Sequence, residues 1–141
     1  VRLKDDKYVT GLLLQHSGAG RFVYAGAHEW PLVWRKATGK SEMLEAPGPW
    51  LGIKRDLDDI PVSSLALARG DLLCLYSDGL IEARDAKGEL FDMQRLSDAL
   101  ERAARENDSL QDIADDVMEA VAAYALQRED DWTLLLIRRA A

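Results

Sequence analysis

The hydrophobic pattern of this 141-residue chain changes once, from short strands to amphipathic helices. Segments rich in β-forming residues, separated by turns that contain glycine or proline, fill the chain up to residue 76. Beyond residue 92 apolar residues recur at three- and four-residue spacing, and a last apolar run closes the chain. Hairpin-connected strands followed by helices and a closing strand predict an α+β fold, with an antiparallel β-sheet or sandwich flanked by helices.

The same pattern predicts the position of each element. We expect strands at 7–15, 21–25, 31–35, 42–45, 61–67, 71–76 and 132–137, with turns at 17–20 and 36–40. Two prolines and two glycines predict a loop at 46–52. One helix is predicted at 94–105, and a Ser-x-x-Asp capping pattern at Ser109 starts a second one that extends to Tyr124. The closing strand is of the unbroken apolar kind that is buried on both faces.

Length and composition are those of one globular domain. With 141 residues, 48% of them hydrophobic and 30% charged, we expect a single domain over 1–141 with a single core. No apolar run approaches the roughly 20 residues of a membrane helix, so this segment is expected not to insert into a membrane. The single cysteine, Cys74, lies in an apolar run, which excludes an intrachain disulfide and favours the reducing cytoplasm.

Charge is divided unevenly along the chain. Residues 1–55 carry a net charge of +4, and residues 56–141 carry −11. An acidic second part argues against binding to a nucleic-acid backbone, and it is compatible with a site that holds cations.

Acidic residues stand at two places where the apolar pattern breaks. Asp78 and Gly79 directly follow the strand at 71–76, and three consecutive acids, Glu129 to Asp131, precede the closing strand. A plain turn and a solvated acidic turn are the simple interpretations. A divalent cation such as Mg²⁺ or Mn²⁺ would also neutralise such acids, because these ions prefer carboxylate oxygens. The residues alone leave both interpretations open.

Several blocks of the chain follow one another in a recognisable order. They are 8–13, 24–31, 48–52, 70–83, 88–91 and 130–136. The most specific is Gly-Asp-x-Leu-x-x-Tyr-Ser-Asp-Gly-x-x-Glu-Ala at 70–83, paired with Asp-Asp-x-Thr at 130–133. Together they resemble the SpoIIE/RsbU type of metal-dependent serine/threonine protein phosphatase, in the PPM family related to protein phosphatase 2C.

The resemblance implies a two-metal hydrolase. In such enzymes two Mn²⁺ or Mg²⁺ ions activate a water that attacks phosphorus, with no covalent enzyme intermediate. Asp78 and Asp130 match metal ligands of the family, Asp131 matches a position that supports them, and Gly79 lets the backbone turn tightly beside the metal. His28 lies in a variant of the family's Ala-Gly-His-Pro string, and we expect it to fix its loop. The implied substrate is a phosphorylated regulatory protein of the anti-sigma-factor-antagonist type.

The family's N-terminal aspartate blocks do not occur in these residues. Because the chain begins with Val1, we expect it to be the C-terminal part of a catalytic domain that follows a sensory domain. The chain alone is then expected to have weak or no activity, and its sheet edges to pair with the missing segment or with a second copy as a homodimer. Two other hypotheses stay open: a non-catalytic interaction module and a purely structural domain. The four tryptophans are expected to serve as packing and loop anchors.

Overall fold

The computed structural model describes residues 9–51 and 59–140. Within these ranges the chain forms seven strands and three helices. In chain order they are β1 (Gly11–Gly18), β2 (Arg21–Ala27), β3 (Leu32–Arg35), β4 (Lys40–Met43), β5 (Ser63–Ala66), β6 (Leu72–Tyr76), α1 (Asp78–Ile81), α2 (Asp92–Glu106), α3 (Leu110–Tyr124) and β7 (Leu134–Arg138). None of the helices in the described ranges is long and apolar enough to cross a membrane.

The strands form two antiparallel sheets, which confirms the predicted α+β class. One sheet has the order β1-β2-β5, and the other has the order β4-β3-β6-β7. Side chains of a strand alternate between its two faces. In the four-stranded sheet Val33 and Leu73 therefore pack against the three-stranded sheet. Their neighbours Trp34 and Leu72 pack against the helices instead, so this sheet is the middle layer of the fold.

Apolar side chains form two buried clusters, so the expectation of a single core is wrong. The larger cluster lies between the four-stranded sheet and the helices, with Leu96, Leu100 and Val117 among its fully buried members. The smaller cluster lies between the two sheets and is built around Phe22 and Leu65. A middle sheet with apolar residues on both faces necessarily separates two cores.

Most of the predicted elements occur close to their expected positions. The hairpin of β1 and β2 forms, although β1 extends to Gly18 rather than ending at residue 15; residues 7 and 8 lie outside the described ranges. The capping pattern also acts as predicted, because the Ser109 side chain accepts hydrogen bonds from the backbone N–H groups of Gln111 and Asp112. Residues 46–50 contain no helix or strand, as expected for a loop, and residue 52 is not among the described residues.

The closing strand differs from its prediction. It was expected at 132–137 with both faces buried, but β7 begins at Leu134 and lies at the edge of the four-stranded sheet. Leu135 is 52% exposed. Apolar composition reports affinity for a core, whereas burial on both faces also requires a neighbouring layer on each side. In the described part of the chain, β7 has a strand neighbour on one side only.

A buried carboxylate fastens the end of the middle sheet that lies opposite to Asp78. Asp71 is 2% exposed. It accepts hydrogen bonds from Arg35 Nη1 at 2.9 Å, Lys36 N at 3.0 Å and Ala68 N at 2.9 Å. Burial by itself would raise the pKa of Asp71, but these donors lower it below the ordinary value. The carboxylate therefore stays ionised and joins the end of β3 to the turn that precedes β6.

Candidate functional site

Asp78 stands where β6 passes into α1. It is the first residue of this short helix, so the turn interpretation of Asp78-Gly79 is wrong. The Asp78 side chain is exposed. One of its oxygens accepts a hydrogen bond from Gly79 N at 2.9 Å, and the other accepts none from the described residues. A hard carboxylate oxygen that is exposed and unpartnered is free to bind a cation.

The acidic segment before β7 has similar features at Asp130. One Asp130 oxygen accepts a hydrogen bond from Asp131 N at 2.7 Å, and within the described residues the second has no donor. Asp131 differs, because its exposed carboxylate forms an ion pair with Arg128 at 3.5 Å. Arg128 also donates to the Asp130 carbonyl at 3.0 Å and lies over the Trp132 ring, 5.4 Å from its centroid. A basic residue therefore holds this acidic segment in place.

Sheet register and Ser77 bring the two segments together. β6 and β7 are antiparallel, with Tyr76 opposite Leu134, so the residues that follow β6 lie beside those that precede β7. Ser77 Oγ donates to the Asp131 carbonyl at 2.9 Å and accepts from Thr133 N at 3.0 Å. Ser77 N also donates to the Thr133 carbonyl at 3.0 Å. Three hydrogen bonds thus fix one segment against the other.

Gly79 shows how closely the segment that carries Asp78 approaches the segment that carries Asp130. A Cβ atom placed on this residue would lie 2.5 Å from the Asp131 carbonyl oxygen and 3.3 Å from Asp130 Cβ. The chain therefore packs Asp78-Gly79 directly against Asp130-Asp131, although more than fifty residues separate them in sequence. Within residues 9–51 and 59–140, no group of three His, Cys, Asp or Glu side chains is arranged to hold a metal ion. The carboxylates of Asp78 and Asp130 fit Mn²⁺ or Mg²⁺ chemically, and further metal ligands would have to come from outside the described residues.

A cleft of about 480 Å³ opens beside Asp78. His28 lines it, with Nδ1 hydrogen-bonded to Thr10 Oγ1 at 3.2 Å. Trp30 and Trp50 also line it and are 40% and 47% exposed. The tryptophans were expected to be packing and loop anchors; Trp34 is buried, whereas Trp30 and Trp50 expose part of their side chains to the cleft. They give the cleft aromatic walls large enough to contact a peptide.

Glu29 is a cleft residue that sequence reasoning missed. It lines the cleft beside Asp78, and its carboxylate has no hydrogen bond or ion pair with the described residues. Burial raises the pKa of Glu29; His28 opposes this, and the negative charges of Asp78 and Glu82 add to it. The available signal was its position directly after His28 in the block at 24–31, where the family's Ala-Gly-His-Pro string has a proline.

Comparisons with known proteins agree on one family. The model of the family described as Stage II sporulation protein E (SpoIIE) matches residues 1–140. Phosphoserine phosphatase RsbU of Bacillus subtilis (strain 168) is 34% identical over 128 residues, which are 84% of this chain and 35% of RsbU. The chain therefore spans about a third of that relative.

Solved structures show the same fold. The SiaA-PP2C domain of Pseudomonas aeruginosa superposes with a TM-score of 0.69 at 25% identity, covering 85% of this chain and 47% of that one. The manganese-presoaked phosphatase domain of SpoIIE from Bacillus subtilis gives 0.60 at 23% identity, covering 99% and 61%. The fold described above is thus that of PP2C-type phosphatase domains.

Proposed function

Because the chain belongs to the SpoIIE family, we propose that it supplies two metal-binding carboxylates to a phosphatase that acts on phosphoserine or phosphothreonine. The observation that carries the proposal is the packing of Gly79 against Asp130 and Asp131. It joins the two acidic segments at one end of the middle sheet, where each of Asp78 and Asp130 keeps one carboxylate oxygen without a donor among the described residues. The proposed substrate is a phosphorylated regulatory protein of the anti-sigma-factor-antagonist type.

Asp78 and Asp130 would hold Mn²⁺ or Mg²⁺ together with ligands from outside the described residues. When bound, such ions activate water for in-line attack on phosphorus and neutralise charge on the transferring group. A P–O bond to the water oxygen forms, the P–O bond to the serine oxygen breaks, and the leaving oxygen takes up a proton. Asp131, held by Arg128, would orient the acidic segment. Gly79 allows the close approach of the two segments.

The cleft gives the remaining residues their proposed roles. Trp30 and Trp50 would contact the peptide on either side of the phosphorylated residue, because their exposed faces line the cleft next to Asp78. His28 would hold the cleft wall through its hydrogen bond with Thr10, a structural rather than a chemical role.

The alternative is an interaction module without catalysis. The observation that favours it is the lack of a three-ligand metal group among the described residues. The two proposals differ in a simple measurement, because only a phosphatase gains hydrolytic activity from Mn²⁺.

The test uses the full-length protein with Mn²⁺ and a phosphoserine peptide, with phosphate release as the readout. Asp78→Asn and Asp130→Asn should each lower kcat/KM by about a hundredfold or more and weaken Mn²⁺ binding in calorimetry, because each removes a direct ligand. Asp115→Asn, at an exposed position on α3, is the matched control and should change neither quantity. Wild-type activity in both ligand variants would refute the proposed site. An inactive wild-type protein that still binds a partner would favour the interaction module.

A further inference from the structure

A second cavity lies at the opposite end of the middle sheet from Asp78. It measures about 530 Å³ and is bounded by the last residues of β3 and β7, the first residue of β6 and the start of α3. Its volume lies within the range of small-molecule sites, about 300–1,000 Å³. None of the residues proposed above for phosphate hydrolysis lines it.

Three basic residues line this cavity, Lys36, Arg138 and Arg139, in a chain whose net charge is −7. Arg138 donates to the Asp108 carbonyl at 2.5 Å, so its guanidinium group keeps further N–H donors. The Arg139 side chain lies beside Gly20 and donates to the Leu67 carbonyl at 2.7 Å, on the other face of the middle sheet. The Lys36 ammonium makes no hydrogen bond or ion pair with any residue that the structure describes. The Asp108 carboxylate contributes one opposing charge, which leaves an excess of positive charge.

One residue of the cavity wall carries a buried donor that has no acceptor among the described residues. Trp34 is 6% exposed and lines the cavity. Its indole Nε1–H is buried and has no acceptor; in the described part of the chain it is the one buried side-chain nitrogen or oxygen without a partner. Leaving such a group unpaired costs free energy, and native proteins rarely accept this cost without a partner such as water or a ligand. Because this atom has almost no accessible surface, an acceptor reaches it from the cavity only when the side chains around the indole shift on binding.

The remaining wall is apolar. Leu72, Leu110 and Ile113 line the side that faces the helices, and Leu72 and Ile113 are each 1% exposed. Apolar walls with a few convergent polar groups are typical of sites for small organic ligands. All the polar side-chain groups singled out here, apart from Asp108, are hydrogen-bond donors. The complementary ligand therefore combines an apolar body with a negatively charged, acceptor-rich group.

We propose that this cavity binds a small organic anion, a carboxylate or phosphoryl group carried on an apolar body. One of its oxygens accepts the hydrogen bond of Trp34 Nε1, and its charge is neutralised by Lys36 and Arg138. The apolar body packs against Leu110 and Ile113. This cavity is separate from the cleft beside Asp78, so the proposed anion site can be tested independently of the proposed phosphatase reaction.

The test is a titration of the full-length protein labelled with ¹⁵N-tryptophan, with the Trp34 indole signal assigned through Trp34→Phe. The probes are benzoate for the carboxylate class and phenylphosphonate for the phosphoryl class, which a phosphatase cannot hydrolyse. Inorganic phosphate serves as the probe without an apolar body. We expect a saturable shift of the Trp34 indole N–H with at least one aromatic anion and a much smaller one with inorganic phosphate.

Variants distinguish a specific binding site from non-specific attraction of anions to positive charge. Lys36→Gln, Arg138→Gln and Trp34→Phe should each weaken binding of that anion about tenfold in calorimetry, as expected for loss of a charged or buried hydrogen bond. The control variant is Lys87→Gln. Lys87 is exposed and lies in the turn beside Glu89, whose carbonyl accepts a hydrogen bond from Tyr124 at the end of α3 that is far from the cavity. The Lys87→Gln protein should bind the anion like the wild type. No saturable shift with either aromatic anion, or equal weakening by Lys87→Gln, would overturn the proposal. Circular dichroism confirms that each variant is folded.

Discussion

Replacing Gly79 with alanine tests the close approach on which the proposed metal site depends. Gly79 is buried in α1, and its φ is not in the left-handed region, so alanine meets no backbone strain there. Its new methyl group would nevertheless lie 2.5 Å from the Asp131 carbonyl oxygen, where real contacts are essentially never shorter than 3.0 Å. The two segments must therefore separate by about 0.5 Å or more.

The magnitude follows from two opposing effects. Overpacking of this kind costs about 1–3 kcal/mol, and here the opposing atom is backbone that Ser77 holds through hydrogen bonds to Asp131 and Thr133. Alanine is preferred over glycine in a helix by up to about 1 kcal/mol. We therefore expect Gly79→Ala to lower the free energy of unfolding by about 1–2 kcal/mol.

Urea denaturation followed by circular dichroism measures this difference. The matched control is Gly11→Ala, because a Cβ on Gly11 would meet only Leu51 Cδ1, at an ordinary contact distance of 3.8 Å. This control should stay within about 0.5 kcal/mol of the wild type. If the proposed site is correct, Gly79→Ala also weakens Mn²⁺ binding about tenfold or more, since Asp130 moves with its segment. A Gly79→Ala protein as stable as the wild type, or more stable, would refute the packing of the two acidic segments.

The other predictions concern buried groups away from the cleft. Asp71→Asn should lower the free energy of unfolding by about 2–3 kcal/mol at pH 7. The NH₂ group of the asparagine would face backbone or guanidinium N–H groups that now donate hydrogen bonds to the Asp71 carboxylate. The pKa of Asp71 is lowered on folding, so its stabilisation is present above the ordinary value of 3.8 and is lost as the pH falls below it. The stability difference between wild type and Asp71→Asn should therefore shrink in acid denaturation below that pH, and a difference independent of pH would contradict this assignment. Cys74 is 0% exposed, and burial raises the pKa of its thiol to about 12. A thiol reagent at pH 8 should therefore react with Cys74 only when guanidinium unfolds the protein. Rapid reaction of the native protein would show that solvent reaches this core.

Local patterns were sufficient to predict most of the strands and both long helices. Alternating and helical periodicities located the strands and both long helices, because each reports which side of a segment faces apolar neighbours. The capping pattern at Ser109 was also readable, since its hydrogen bonds to Gln111 and Asp112 connect residues two and three positions apart. Periodicity missed α1, whose four residues are too few to show a helical repeat.

The arrangement of the sheets and helices in layers was harder to predict from the sequence. The apolar residues of β3 and β6 have affinity for a core on either face, but the sequence does not say that a second sheet covers one face and helices the other. The same limit explains β7, whose apolar run indicated a strand but not its edge position.

For the candidate site, the sequence by itself determined which acids interrupt an apolar pattern, and a family resemblance implied why they do. Only the tertiary structure decided that Asp78 and Asp130 belong to one place. That proximity comes from the register of β6 against β7 and from the hydrogen bonds of Ser77. The tertiary structure also decided that Glu29 lines the cleft and that the Trp34 N–H has no acceptor among the described residues. The physical reason is common to all three: they depend on contacts between segments distant in the chain, which no local pattern of residues encodes.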